Sequence, residues 1–92
     1  YREGLPRAAI EASLSSMPLI LTNVPGCKEC LRDGYNGFFV KDRCVASIYE
    51  KMEYFINNPK IIHKMGVASR KFSIKKFSGD QIFEEYLKIF KE

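Results

Sequence analysis

No apolar run in these 92 residues approaches the roughly 20 that a membrane-spanning helix needs, and Tyr1-Arg2-Glu3 begins nothing like a signal peptide. Cytosol is the expected setting. Three cysteines cannot pair fully, which argues against a disulfide framework. A single C-x-x-C, Cys27-Lys28-Glu29-Cys30, could be joined with Cys44 and His63 into a zinc site, but it lacks a second ligand pair at finger spacing. Reduced thiols and a surface His63 are the plainer expectation. Internal repeats and low-complexity segments are also missing.

What is present describes one small globular unit: 46% hydrophobic and 28% charged residues, with a net charge of +4. The charge is unevenly placed. Residues 1–58 carry seven basic and seven acidic side chains, whereas residues 59–92 carry eight and four, so the whole excess lies in the last third. Lys60, Lys64, Arg70, Lys71, Lys75 and Lys76 form a stretch without an acid. It reads first as a solvated helix face and second as a peripheral contact for an anionic membrane. Nucleic acid is not expected as a partner, since aromatic interleaving and a recognised binding motif are lacking.

Along the chain, Pro6 suits the first position of a helix that runs to about Ser16 and is stopped by Pro18. Ala8, Ala9 and Ala12 make a small-residue strip suited to packing on a sheet, and Ile10, Leu14 and Met17 make a second, apolar strip. The run "PLILT" is short, apolar and flanked by breakers, as a strand covered on both faces would be. Cys27 to Leu31 leaves room for one or two helical turns, and Gly37 to Val40 reads as a second buried strand after the turn signals at Asp33-Gly34 and Asn36-Gly37. Helical periodicity then takes over. Val45, Ile48, Tyr49, Met52, Phe55 and Ile56 share one face behind Asp42 as a candidate N-cap. Asn57-Asn58-Pro59 separates that helix from the next, whose stripe is Ile61, Met65, Ala68 and Phe72. Ser78-Gly79-Asp80-Gln81 has the form of a capping box for the last helix, with Phe77 and Ile82 as a hydrophobic staple and Phe83, Tyr86, Leu87 and Phe90 on its apolar face.

Helix alternating with buried strand is the mark of a parallel α/β sheet, and two strands do not complete one. The expected fold class is therefore α/β: the C-terminal half of a Rossmann-like, doubly wound parallel-sheet domain, present as a fragment. Residues 1–76 would form the partial domain and residues 77–92 a C-terminal helix. Such a piece has an unpaired sheet edge and is expected to self-associate.

The opening stretch "YREGLPRAAIEA" carries the chemistry. A helix beginning at Pro6 has Leu5 at its N-cap, where an apolar side chain leaves the first backbone N–H groups without an acceptor. Such a start suits an anion, and Gly4 allows close backbone approach. Glu3 would stand in the loop beside it. Glu11 would lie about a turn inside the helix, leaning back toward its start. Two carboxylates around a phosphate site would accept hydrogen bonds from hydroxyls, and a ligand with phosphates flanked by hydroxyl-bearing groups is a nucleotide sugar. The same residues equally describe a helix with solvated charges and a water-capped start.

Glu3-x7-Glu11, followed by "MPLILTNVPGCKECLRDGYNGFFV", resembles the signature region of glycosyltransferase family 4, the retaining nucleotide-sugar-dependent enzymes with two facing Rossmann-like domains (the GT-B fold). The resemblance runs from Tyr1 to about Val40 and continues loosely through the "NNP…MG…SRKF…FS" pattern. It implies a transferase of polysaccharide biosynthesis that moves a sugar from a nucleoside diphosphate to a glycan or lipid-linked acceptor. Glu3 would contact donor-sugar hydroxyls and is the candidate catalytic residue. Glu11 would bind the ribose. Gly4, Leu5 and Pro6 would lie against the sugar and diphosphate, and Glu29 would be structural. The family implies no metal and no cofactor beyond the donor substrate. The chain departs from its pattern in two places: Ser15-Ser16 stands where glycine is common, and Cys30 where an aliphatic residue is usual. A fragment of this kind is expected to be inactive alone and peripheral at the inner face of the membrane in its parent enzyme. The alternatives are a non-catalytic interaction or membrane-docking module and a phosphorylase-like relative.

Overall fold

The computed structural model describes residues 7–90. Its elements are α1 (Arg7–Leu14), β1 (Leu19–Thr22), α2 (Pro25–Lys28), β2 (Gly37–Val40), α3 (Val45–Asn57), α4 (Pro59–Phe77) and α5 (Gln81–Phe90). The strands lie where continuous apolar runs stand between breakers. They pair in parallel, with Leu19 opposite Gly37 and Thr22 opposite Val40. The two make the whole sheet among the described residues.

Helix α1 ends in a double hydrogen-bonded turn. Met17 N–H donates to Ala12 O at 3.0 Å and Ser16 N–H to Ser13 O at 3.1 Å, a Schellman arrangement. That motif places one residue in the left-handed region, usually glycine. Here it is Ser16, with φ of 60°. The short turn sends the chain straight into β1, so α1 runs back along it. The start of α1 and the carboxyl end of β1 thus lie toward the same end of the layer.

The core gathers Ala9, Ile10 and Leu14 of α1, Leu19 of β1, Cys30 and Leu31 of the connection, Phe77 of α4 and Phe83 of α5. Between α1 and α4 the seam is polar and tight. Buried Ser73 donates to Ser13 Oγ at 2.6 Å, and Ser13 donates to Ile10 O at 2.8 Å. Arg70 donates to the free carbonyl of Leu14 at the helix end. Gly66 lets the backbones close: a Cβ there would stand 2.1 Å from Ser16 O.

Several expectations need correcting. Ala8 is exposed, and so is Met17. Helix α3 does not start behind Asp42. Arg43 takes a left-handed φ of 56° and Cys44 becomes the N-cap, without a side-chain cap bond. The predicted apolar face of α3 exists, but only Phe55 is buried, and Val45 and Ile56 are 80% and 73% exposed. In the stripe of α4, Met65 and Ala68 are buried while Ile61 and Phe72 are half-buried. The cap of α5 sits two residues later than Ser78. Asp80 accepts from Phe83 N–H at 3.0 Å, and Glu84 reaches back to Gly79 N–H at 3.2 Å. The aromatic partner of Phe77 is Phe83, ring centroids 5.6 Å apart, rather than Ile82.

Candidate functional site

The candidate site lies around the start of α1. Glu3, Gly4, Leu5 and Pro6 fall outside the described residues, so the structure places one member of the predicted set, Glu11. Its side chain is half-buried in the second turn of α1. Its backbone carbonyl takes the N–H of Ser15 at 3.0 Å and the Ser15 hydroxyl at 2.9 Å, which fixes this turn.

Arg7 stands one helical turn before Glu11. Arg7 Nε–H donates to Tyr86 OH at 2.6 Å, and its guanidinium lies 6.0 Å from the Tyr86 ring centroid. Helix α5 is thereby clamped onto the first turn of α1. Sequence reasoning missed this contact, because nothing local joins residues so far apart in the chain. Tyr86 gave only the signal of an apolar-face residue.

The C-x-x-C does not build a reactive pair. Cys30 is buried, and desolvation, then the neighbouring Cys27 and Glu29, pushes its thiol up to about 11. Cys27 and Cys44 are half-buried free thiols. His63 is exposed, and among the described residues no three His, Cys, Asp or Glu side chains gather at ligand distance. Glu29 is exposed, ends α2 and lies 3.6 Å from Lys76 Nζ.

The basic stretch of α4 has aromatic company after all. Arg32 and Tyr35 from the β1–β2 connection meet Lys71, Phe72, Lys75 and Lys76 around an open groove of about 680 Å³. Arg32 lies 5.5 Å from the Tyr35 ring centroid and Lys76 lies 5.7 Å from that of Phe72. The interleaving is spatial, between segments far apart in sequence.

Parallel strands, a helix running back from their carboxyl end and a glutamate in its second turn define an α/β layer of the kind that binds ligands at strand ends. The model for glycosyl transferases group 1 matches residues 1–72, and the chain belongs to that family. It is 36% identical over 85 residues to the capsular polysaccharide biosynthesis glycosyltransferase CapM of Staphylococcus aureus, a match covering 92% of this chain and 22% of the relative. It is 33% identical over 89 residues to the putative glycosyltransferase EpsD of Bacillus subtilis, covering 97% and 23%. To the N,N'-diacetylbacillosaminyl-diphospho-undecaprenol alpha-1,3-N-acetylgalactosaminyltransferase of Campylobacter jejuni it is 21% identical over 90 residues, covering 98% and 24%. The chain therefore spans about a quarter of these relatives' length.

Proposed function

We propose that this chain is the donor-side part of a retaining glycosyltransferase that moves a sugar from a nucleoside diphosphate to a glycan or lipid-linked acceptor. The observation that carries the proposal is the family match over residues 1–72, which takes in both glutamates and the α1–β1 unit that positions Glu11. The names of the relatives support the acceptor classes: one is a glycosyltransferase of capsular polysaccharide biosynthesis, and another is named for a diphospho-undecaprenol-linked sugar. They favour this reading over an interaction module or a phosphorylase.

In this reading the start of α1 faces the diphosphate, Glu3 holds hydroxyls of the donor sugar, and Glu11 holds the ribose. Gly4, Leu5 and Pro6 offer backbone against the sugar and phosphates. Backbone amides and basic side chains steady the departing diphosphate, with no metal or other cofactor. Catalysis is then mainly positioning and electrostatic support of the leaving group. The two strands belong to a larger doubly wound sheet. Phe39 N–H is taken by the Asp33 carboxylate at 3.0 Å, so further strands add on the β1 side. The 92 residues alone have no transfer activity, and the parent enzyme works at the cytoplasmic face of the membrane.

Substitutions in the parent enzyme test the division of labour. A hydrogen bond to a charged group contributes roughly 1.5–3 kcal/mol, about tenfold to hundredfold in binding. Glu11→Ala raises the donor KM by that factor and weakens free nucleoside diphosphate equally. Glu3→Gln lowers kcat and leaves diphosphate affinity nearly unchanged, because the diphosphate carries no sugar. If both substitutions weaken the diphosphate alike, or neither does, the assignment is wrong.

A further inference from the structure

The groove between the β1–β2 connection and α4 lies away from the donor machinery. Tyr35 directly precedes Asn36, whose carbonyl accepts from Leu19 N–H at 3.0 Å. The groove is thus at the amino end of both strands, whereas the start of α1 lies toward their carboxyl end, where ligands of parallel α/β sheets bind.

Its charge is organised. Lys60, Lys64, Lys71 and Lys75, with Val67 between them, are spaced four, three, four and four residues apart along α4 and are all exposed. Such spacing keeps side chains on one helix face. Arg32 and Lys76 add two further cations at the groove, and the nearby carboxylates are Glu29, 3.6 Å from Lys76 Nζ, and the exposed Asp33 beside Arg32 in the chain. Tyr35 and Phe72 supply aromatic edges among them, ring centroids 6.5 Å apart. The row extends over about 22 Å at the usual helical rise. Its exposed valine and half-polar tyrosine suit a surface that is charged outside and apolar beneath.

We infer that this stripe docks the protein on an anionic phospholipid surface, with the lysines and Arg32 on the headgroup phosphates and Tyr35 at the level of the headgroups. A planar partner fits because the cations lie along a line and the groove is open. A stacked single-stranded nucleic acid fits less well, because Arg32 and Lys76 already lie close to the two rings that would receive its bases. This inference goes beyond the proposed transfer reaction, and only the nucleoside-diphosphate control in its test rests on that reading.

The test is co-sedimentation of the whole protein with vesicles of phosphatidylcholine alone and of phosphatidylcholine with phosphatidylglycerol. Binding is expected only to the anionic vesicles and is expected to fall steeply with added salt. Each lysine near the surface contributes about fivefold, so Lys71→Gln with Lys75→Gln weakens binding by about 30-fold. Tyr35→Ala weakens it several-fold at constant charge, whereas Lys88→Gln, on α5, leaves it unchanged. Circular dichroism establishes that each variant is folded, and binding of nucleoside diphosphate in detergent is expected to match wild type throughout. Equal binding to neutral and anionic vesicles overturns the inference. Wild-type vesicle binding by the double variant, tighter binding to an oligonucleotide than to vesicles, or loss of diphosphate affinity in the groove variants does so as well.

Discussion

The seam between α1 and α4 and the outer face of α3 invert the usual expectation about polarity. The seam contains Ser13, Ser69 and Ser73, all buried, joins Ser73 to Ser13 by a short hydrogen bond, and closes at one glycine contact. The Ser69 hydroxyl has no hydrogen-bond partner among the described residues. The face of α3 contains Val45, Ile48, Tyr49, Met52 and Ile56, all exposed. Small polar residues are buried where backbones must approach closely, because a serine can return its hydroxyl to a carbonyl of its own helix. Large apolar residues stay exposed where nothing among the described residues covers them. Periodicity tells which side of a helix is apolar; the cover depends on what else is folded nearby.

The largest effect that separates the two regions is truncation of side chains of similar size. Leu14→Ala removes a side chain that is 2% exposed and is expected to cost about 2–5 kcal/mol. Ile56→Ala, at 73% exposure, is expected to stay within about 0.5 kcal/mol. Urea unfolding of both variants measures the contrast. Should Ile56→Ala cost as much as Leu14→Ala in a protein carrying more of the sheet, the face of α3 is an interior surface there.

Gly66→Ala probes the seam itself. The added methyl would meet the carbonyl oxygen of Ser16 at 2.1 Å, and backbone cannot step aside cheaply. A loss of about 1–3 kcal/mol is expected in the same unfolding experiment. An unchanged midpoint would mean that α1 and α4 do not close as described.

The smallest effect has the opposite sign. Ser16 holds the left-handed position of the α1 turn at φ of 60°, which costs a residue bearing Cβ roughly 1–2 kcal/mol. Glycine removes that strain but adds freedom to the unfolded chain, about 0.5–1 kcal/mol. Ser16→Gly is therefore expected to raise stability by roughly 0.5–1 kcal/mol, read as a higher thermal midpoint.

Strands β1 and β2, the order of the elements and the break at Asn57-Asn58-Pro59 were legible in the sequence, because apolar runs between breakers and helical periodicity are local signals. The caps were legible only in kind. Asp42 and Ser78 are good capping residues, yet the left-handed Arg43 delays α3 to Cys44. Asp80 takes the cap of α5 because it lies three residues before the N–H of Phe83. Contacts between distant segments gave no local signal at all. The Arg7–Tyr86 clamp and the meeting of Tyr35 with Phe72 depend on how α5 and the β1–β2 connection settle on their neighbours. Of the candidate site, Glu11 alone lies within the described residues.

The burial of Cys30 has a kinetic consequence. Thiolate, not thiol, attacks an alkylating reagent. With its thiol pushed up to about 11, Cys30 is ionised at neutral pH in on the order of one molecule in ten thousand, and its side chain belongs to the buried cluster that also holds Leu31 and Phe77. Cys27 and Cys44 are free and only partly covered, so a reagent spends itself on them first. Modification of the third thiol then waits for the core to open. Cys30 is in effect a clock set into the core, whose labelling rate reports how often α1, α4 and α5 part company.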